Sequence, residues 1–131
     1  MYTLYYAPGS ANLLVHLVLL EIGAPHTLER VDLDAGQQRS AAYLALNPNG
    51  VVPTLVIDGV PHGEAAALAM LLVERHADAA LAPASGSAQR GDYLQWMFYL
   101  ANSLQPQFRQ WFYPGDHLPA AAETIKEAAR I

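Results

Sequence analysis

The chain is expected to fold as an α/β domain of order β-α-β-α-β-β-α followed by the beginning of an all-helical domain. Three observations predict this. Two short β-prone runs, Tyr2–Tyr6 and Thr27–Leu33, bracket an apolar helical stretch, the pattern of a β-α-β unit. The β-branched run Thr54–Ile57 meets Asp58-Gly59, a two-residue turn that sends the chain back as a hairpin strand through His62. A break containing Pro83, Ser85, Gly86 and Ser87 then separates these elements from a long apolar helix. The implied organisation is an α/β domain over residues 1–80, a linker over 81–90, and the first helices of an incomplete all-α domain over 91–131.

Each element has a local reason. Tyr2–Tyr6 halts at the turn sequence Ala7-Pro8-Gly9-Ser10. From Ala11, the residues Leu13, Leu14, Leu17, Val18, Leu20 and Ile22 make a helix too apolar for a surface position. It is expected to be largely buried and to close at Gly23, with Pro25 beyond. After the second strand a polar loop, Asp34–Arg39, leads to a short helix ending near Leu46, and a loop from Asn47 delivers the third strand. Pro53 has no N–H to give a ladder and belongs at that strand's first position. In this order of elements, a proline there points to a cis Val52–Pro53 bond that presents the Val52 backbone to whatever lies alongside. Beyond the hairpin, Glu64 is expected to open an Ala- and Leu-rich helix to about His76, its acid placed in the first turn where the dipole favours it. The whole is a thioredoxin-like layout.

Past the linker, one helix is expected from Ser87, as its N-cap, to about Tyr113, bent at Pro106. Its first half, Tyr93–Ala101, is apolar nearly all round and needs cover on several sides, and Trp96, Phe108 and Trp111 read as core. Pro114-Gly115 stops it, and Pro119 starts a further helix that reaches Ile131 with neither cap nor stop signal. The sequence therefore reads as part of a longer helical domain.

Composition removes whole classes of function. With 7 basic against 12 acidic residues, a net charge of −5 and no basic cluster, neither nucleic acid nor an anionic membrane is an expected partner. The absence of cysteine removes disulfides, thiolate nucleophiles and dithiol chemistry, so any sulfur chemistry must use a ligand's sulfur. His16, His26, His62, His76 and His117 show no ligand spacing, and no metal is expected. The N-terminus enters a strand without a basic leader, and no apolar stretch reaches membrane-spanning length, which implies a cytoplasmic location.

Taken together, Tyr5-Tyr6-Ala7-Pro8-Gly9-Ser10, Asn47-Pro48-Asn49-Gly50-Val51-Val52-Pro53-Thr54-Leu55 and Gly63-Glu64 at the head of the third helix resemble the bacterial glutathione S-transferase family. The resemblance covers its amino-terminal domain and the first part of its helical domain. It implies a thioredoxin-fold glutathione site with cis-Pro53, an all-helical second domain and a homodimer. By that resemblance Val52 pairs its backbone with the cysteinyl part of glutathione. Glu64, at a helix N-terminus with free N–H groups, helps hold the γ-glutamyl end. Arg39, before the second helix, is a candidate for the glycyl carboxylate, with a solvated charge as the alternative. The chain departs from the pattern at Ala65, where most members carry a serine or threonine whose hydroxyl bonds the γ-glutamyl carboxylate. Losing one hydrogen bond to a charged group costs roughly 1.5–3 kcal/mol, or one to two orders of magnitude in affinity.

Conjugation needs a thiolate at neutral pH from a thiol whose ordinary pKa is about 8.5. Ser10 is the first candidate to stabilise it, since it precedes helix one, where its hydroxyl and the helix's free N–H groups can both point at sulfur. It also matches the catalytic serine of the insect-type serine classes, which share a Tyr-Tyr-x-Pro-Gly-Ser stretch; a turn or N-cap serine is the competing reading. Asn12 is a second donor at the same helix start. Tyr5 stands where tyrosine-type classes carry their tyrosine, with a core role as the alternative. The cysteine of many bacterial relatives aligns with Ala11, which excludes a mixed disulfide with the protein. The implied function is a glutathione transferase that takes glutathione as co-substrate and activates its thiol for conjugation to, or reduction of, a small electrophile, without a metal. The alternative is a non-catalytic glutathione-transferase-like binding or dimerisation module.

Overall fold

In a computed structural model that describes residues 1–113 and 127–128, the chain divides into two compact units, Met1–Ala82 and Pro83–Ile131. The expectations about Pro114-Gly115, His117 and Pro119 lie outside the described residues.

The first unit runs β1 (Tyr2–Tyr6), α1 (Asn12–Glu21), β2 (His26–Arg30), α2 (Ala41–Leu46), β3 (Thr54–Ile57), β4 (Val60–His62) and α3 (Ala65–Arg75). Its mixed sheet has the order β2-β1-β3-β4. β1 and β2 are parallel, which requires a crossover, and α1 supplies it; the other pairs are antiparallel. This is the thioredoxin-like arrangement. Asp58 and Gly59, at φ 51° and 88°, form the two-residue turn between the paired residues Ile57 and Val60. Arg75 at the end of α3 reaches the Asp58 carboxylate at 2.9 Å. The N-terminal ammonium, and then Arg75, hold that carboxyl below its usual range.

The main core lies on one face of the sheet. Alternation along β1 and β3 sends Tyr2, Leu4, Leu55 and Ile57 to the same side, where they meet Val15 and Leu19 of α1 and Leu68 and Leu72 of α3. Each such leucine or valine contributes on the order of 1.5–3 kcal/mol through burial. α1 departs from the expectation of wholesale burial. Asn12, Val15 and Leu19 share its inner stripe, while Leu13, Leu17 and Leu20 are 57%, 54% and 56% exposed. A helix resting on one sheet buries one stripe, however apolar its sequence. It ends in a Schellman motif: Gly23, at φ 65°, donates to Leu20 O at 3.0 Å and Ala24 donates to Leu19 O at 3.1 Å.

β2 is shorter than the predicted Thr27–Leu33. Val31 still donates to Tyr6 O at 2.8 Å, but Asp32 turns the chain: its side chain accepts the Ala35 N–H at 3.0 Å and its own N–H goes to Gln37 Oε1 at 2.7 Å.

The second unit is helical from Arg90 to Phe112, but not as one bent α-helix. α4 (Arg90–Tyr99) passes through a π-helical segment, Leu100–Leu104, into α5 (Gln105–Phe112). Pro106 lies in the first turn of α5, and the widened turn sits where a proline would break an α ladder. Ser87 is not the cap. The helix starts three residues later, after Gln89, and the Ser87 carbonyl accepts the Arg90 N–H at 3.1 Å. Nor are Trp96 and Phe108 core residues: they are 58% and 52% exposed, Trp111 is half-buried, and none of the described residues of this unit is buried.

Candidate functional site

Register brings three loops to one end of the sheet. Tyr5 pairs with Thr54 and Leu55 with His62, so the loop after β1, the loop before β3 and the loop after β4 emerge together. They carry Ser10, Val52 and Glu64.

In the first loop Ser10 is half-buried. Its N–H donates to Ala7 O at 3.3 Å, its carbonyl accepts the Leu13 N–H at 3.1 Å, and its hydroxyl makes no hydrogen bond among the described residues. The hydroxyl thus has no protein partner among the described residues, two residues before the start of α1. Asn12 is buried, and its Oδ1 accepts the Ala7 N–H at 3.0 Å, so the oxygen end of this carboxamide is committed to holding the loop. Tyr5 is half-buried and stands edge-on to Tyr43 with ring centroids 6.0 Å apart.

The second loop is held from behind by a buried polar network. The Val52–Pro53 bond is cis, and Pro53 and Thr54 are buried. The Tyr43 hydroxyl donates to Val51 O at 2.8 Å and lies 2.9 Å from Thr54 Oγ1. Asn47 Nδ2 donates to Val51 O at 2.9 Å and to Thr54 Oγ1 at 3.1 Å, while Asn47 Oδ1 accepts the Asn49 N–H at 3.1 Å. Because the single Tyr43 proton goes to Val51, Thr54 donates to the Tyr43 oxygen, and every member is satisfied. Burial raises the Tyr43 phenol above its ordinary range against the opposing Thr54 hydrogen bond, so it stays protonated at neutral pH. Ser40 orients the residue by capping α2, its Oγ accepting the Tyr43 N–H at 3.2 Å. On the outer side of the same loop, the N–H and C=O of half-buried Val52 enter no hydrogen bond among the described residues.

At the third loop the structure corrects the expectation for Glu64. It precedes α3 rather than opening its first turn, at φ 66° and ψ 100°, a region costly for a side-chain-bearing residue. Its carbonyl accepts the Leu68 N–H at 2.9 Å, and its carboxylate is exposed with no partner among the described residues. Ala65 is the buried first residue of α3. A cavity of about 290 Å³ opens between Asn49 and Val51 on one side and Pro61, Gly63 and Glu64 on the other. Arg39 closes a single 3₁₀ turn, Gln37–Arg39, and is exposed, its Nη1 3.4 Å from Asn49 O at the edge of the same loop.

Among the described residues no three His, Asp or Glu side chains gather as metal ligands, and no helix is long and apolar enough to cross a membrane. His16 and His26 meet edge to face at 5.3 Å, and His76 accepts or donates at 2.9 Å to the Tyr2 hydroxyl. Sequence reasoning missed Tyr43 and Asn47, the two donors that hold the Val51 carbonyl. A signal existed: Tyr43 and Asn47 are the polar residues of an Ala/Leu helix and its cap, one turn apart and so on one face.

The family description "Glutathione S-transferase, N-terminal domain" matches residues 14–75. The glutathione S-transferase GstA of Escherichia coli O157:H7 is 34% identical over 113 residues, spanning 85% of this chain and 56% of GstA. A glutathione transferase homologue from Sulfitobacter, solved with bound glutathione, superposes with a TM-score of 0.90 at 25% identity, covering 98% of this chain and 63% of that one. A sphingomonad glutathione S-transferase complexed with glutathione gives a TM-score of 0.77 at 30% identity, covering 96% of this chain and 65% of that one. The chain thus spans between about half and two thirds of the length of these relatives. With the thioredoxin-like sheet and the match over residues 14–75, the first unit carries the amino-terminal domain of the glutathione S-transferase family.

Proposed function

We propose that this chain forms the glutathione site of a glutathione transferase, in which the thiol of glutathione is activated for conjugation to, or reduction of, a small electrophile. The observation that carries the reading is the Val52 main chain, half-buried at the loop cluster with both its N–H and its C=O unused. Backbone polar groups in such a position call for a partner, and an extended peptide satisfies both at once. The cysteinyl N–H and C=O of glutathione fill that role, as strand addition. The free N–H groups at the start of α3 then meet the γ-glutamyl carboxylate, and the exposed Glu64 carboxylate faces its ammonium. Arg39 stands on the side of the loop where the glycyl carboxylate would lie.

This pairing sets the sulfur toward the first loop, where the Ser10 hydroxyl has no protein partner. The hydroxyl donates to the thiolate and the N–H groups of α1 add their partial charge. The activated sulfur attacks the electrophilic carbon, and the new C–S bond forms either as a leaving group departs with its electron pair or as an activated double bond gives up its π electrons to the neighbouring carbon, which then takes a proton from water. Asn12 serves by holding the Ala7 end of the loop, and Tyr5 by packing against Tyr43. The protein works as a cytoplasmic homodimer in this reading, with no metal.

The second reading, a binding or dimerisation module without catalysis, draws on Ala65, which gives a γ-glutamyl carboxylate no hydroxyl. An ultraviolet titration of glutathione thiolate, with the protein and its Ser10→Ala variant, separates the two. A hydrogen bond to a charged group is worth about 1.5–3 kcal/mol, so the thiol's pKa should rise by roughly one to two units in the variant. Thiolate that forms well below the free thiol's pKa and is unaffected by the variant removes Ser10 from the role. No thiolate signal at saturating glutathione favours the module.

A further inference from the structure

We propose that Tyr43 is a positioning residue for glutathione, acting through the Val51 carbonyl to aim the Val52 N–H. The inference rests on the glutathione reading above. The Val51 C=O and the Val52 N–H belong to one peptide unit, which is planar, so whatever orients the carbonyl orients the N–H at its opposite edge. That carbonyl receives two donors from the buried side, Tyr43 Oη at 2.8 Å and Asn47 Nδ2 at 2.9 Å. One donor restrains the plane's direction; two from separate residues restrain its rocking as well. The N–H is left pointing away from both, on the open side, with no partner of its own.

Tyr43 suits this task because its own place is determined. Its ring is buried, its N–H is capped by Ser40 at 3.2 Å, and its phenol oxygen lies 2.9 Å from Thr54 Oγ1, one residue beyond Pro53. The network therefore grips the chain on both sides of the Val52–Pro53 step. In a site whose α3 end offers a methyl group at Ala65, the backbone anchor carries a larger share of the affinity, and its aim is correspondingly visible in binding.

The test is calorimetric titration with reduced glutathione of the full chain, its Tyr43→Phe variant and its Thr54→Val variant, with the thiol pKa measured alongside. Tyr43→Phe removes one of the two donors to Val51 and is expected to weaken binding by about tenfold, the upper range for one neutral hydrogen bond. The pKa of bound thiol should stay unchanged, since Ser10 governs it. Thr54→Val leaves both donors on Val51 and is expected to lower the melting temperature while binding stays within about twofold. A merely structural Tyr43 would lower the melting temperature without moving the affinity, and that result overturns the proposal while leaving the glutathione reading intact. Equal weakening by Thr54→Val overturns the route through Val51. Absence of binding by the unmodified chain overturns the glutathione reading itself, and this proposal with it.

Discussion

The carboxamide oxygen of Asn12 accepts the Ala7 amide proton at 3.0 Å, so the first residue of α1 holds the loop on which Ser10 stands. Asn12 and Ala7 are both buried, so cutting the side chain back leaves the Ala7 N–H without its acceptor. Asn12→Ala should therefore cost about 1–3 kcal/mol, the penalty of a buried unsatisfied N–H. Urea unfolding with an unchanged slope and a lower midpoint checks this; a cost below about 0.5 kcal/mol would mean that Ala7 finds another acceptor.

Ala65→Ser restores a hydroxyl beside the free N–H groups at the start of α3. Glutathione affinity should rise about tenfold, at the lower end for a hydrogen bond to a carboxylate. Calorimetry reads it directly, and an unchanged affinity places the γ-glutamyl end elsewhere.

Two glycines with similar φ should respond differently to alanine. Gly50 has φ 62°, and a Cβ there would lie 2.8 Å from Arg39 Nη1, 3.0 Å from Gln38 O and 3.2 Å from Leu44 Cδ2. Arg39 can swing away, but the Gln38 carbonyl is backbone. Gly36 has φ 72° with nothing within 4 Å. Gly36→Ala should cost only the left-handed penalty of about 1–2 kcal/mol, whereas Gly50→Ala adds about 1–3 kcal/mol of overpacking. Thermal unfolding of the pair tests the difference, and equal losses would refute the contact.

Alkaline pH should probe Tyr43. Its phenol is raised in the folded chain by burial, so between its ordinary pKa of 10.0 and its higher folded value the unfolded state binds fewer protons than the native one. Its contribution is complete below about pH 10 and is lost as pH rises through the folded pKa. Tyr43→Phe removes this component, so its stability should fall less steeply above pH 10 than that of the parent chain. Parallel slopes in denaturant titrations would contradict the buried phenol.

What the sequence determined by itself is the part governed by local chemistry. Asp58-Gly59 imposes its turn, Gly23 its helix end and Ser40 its cap, because each depends on φ preferences or on hydrogen bonds spanning a few residues. The element order and the thioredoxin-like sheet follow from these and from the apolar pattern. Of the site residues named from sequence, Ser10, Val52, Pro53 and Glu64 stand on the three loops that register gathers at one end of the sheet, Asn12 and Ala65 begin the helices that follow, Tyr5 lies near the end of β1, and Arg39 is at the edge of the second loop. What only the tertiary structure decided depends on which faces meet. Leu13 and Leu17 are as apolar as Leu19, yet only the stripe that rests on the sheet is buried. Trp96 and Phe108 read as core from hydrophobicity, which says that a residue favours cover and not that anything lies over it. Asn12 reads as a donor and serves Ala7 as an acceptor, because a carboxamide offers both ends and only its neighbours choose between them. Tyr43 reaches Val51 across eight residues only after α2 has packed behind the loop; the shared face of Tyr43 and Asn47 marks the pair in the sequence, but not the carbonyl that they meet.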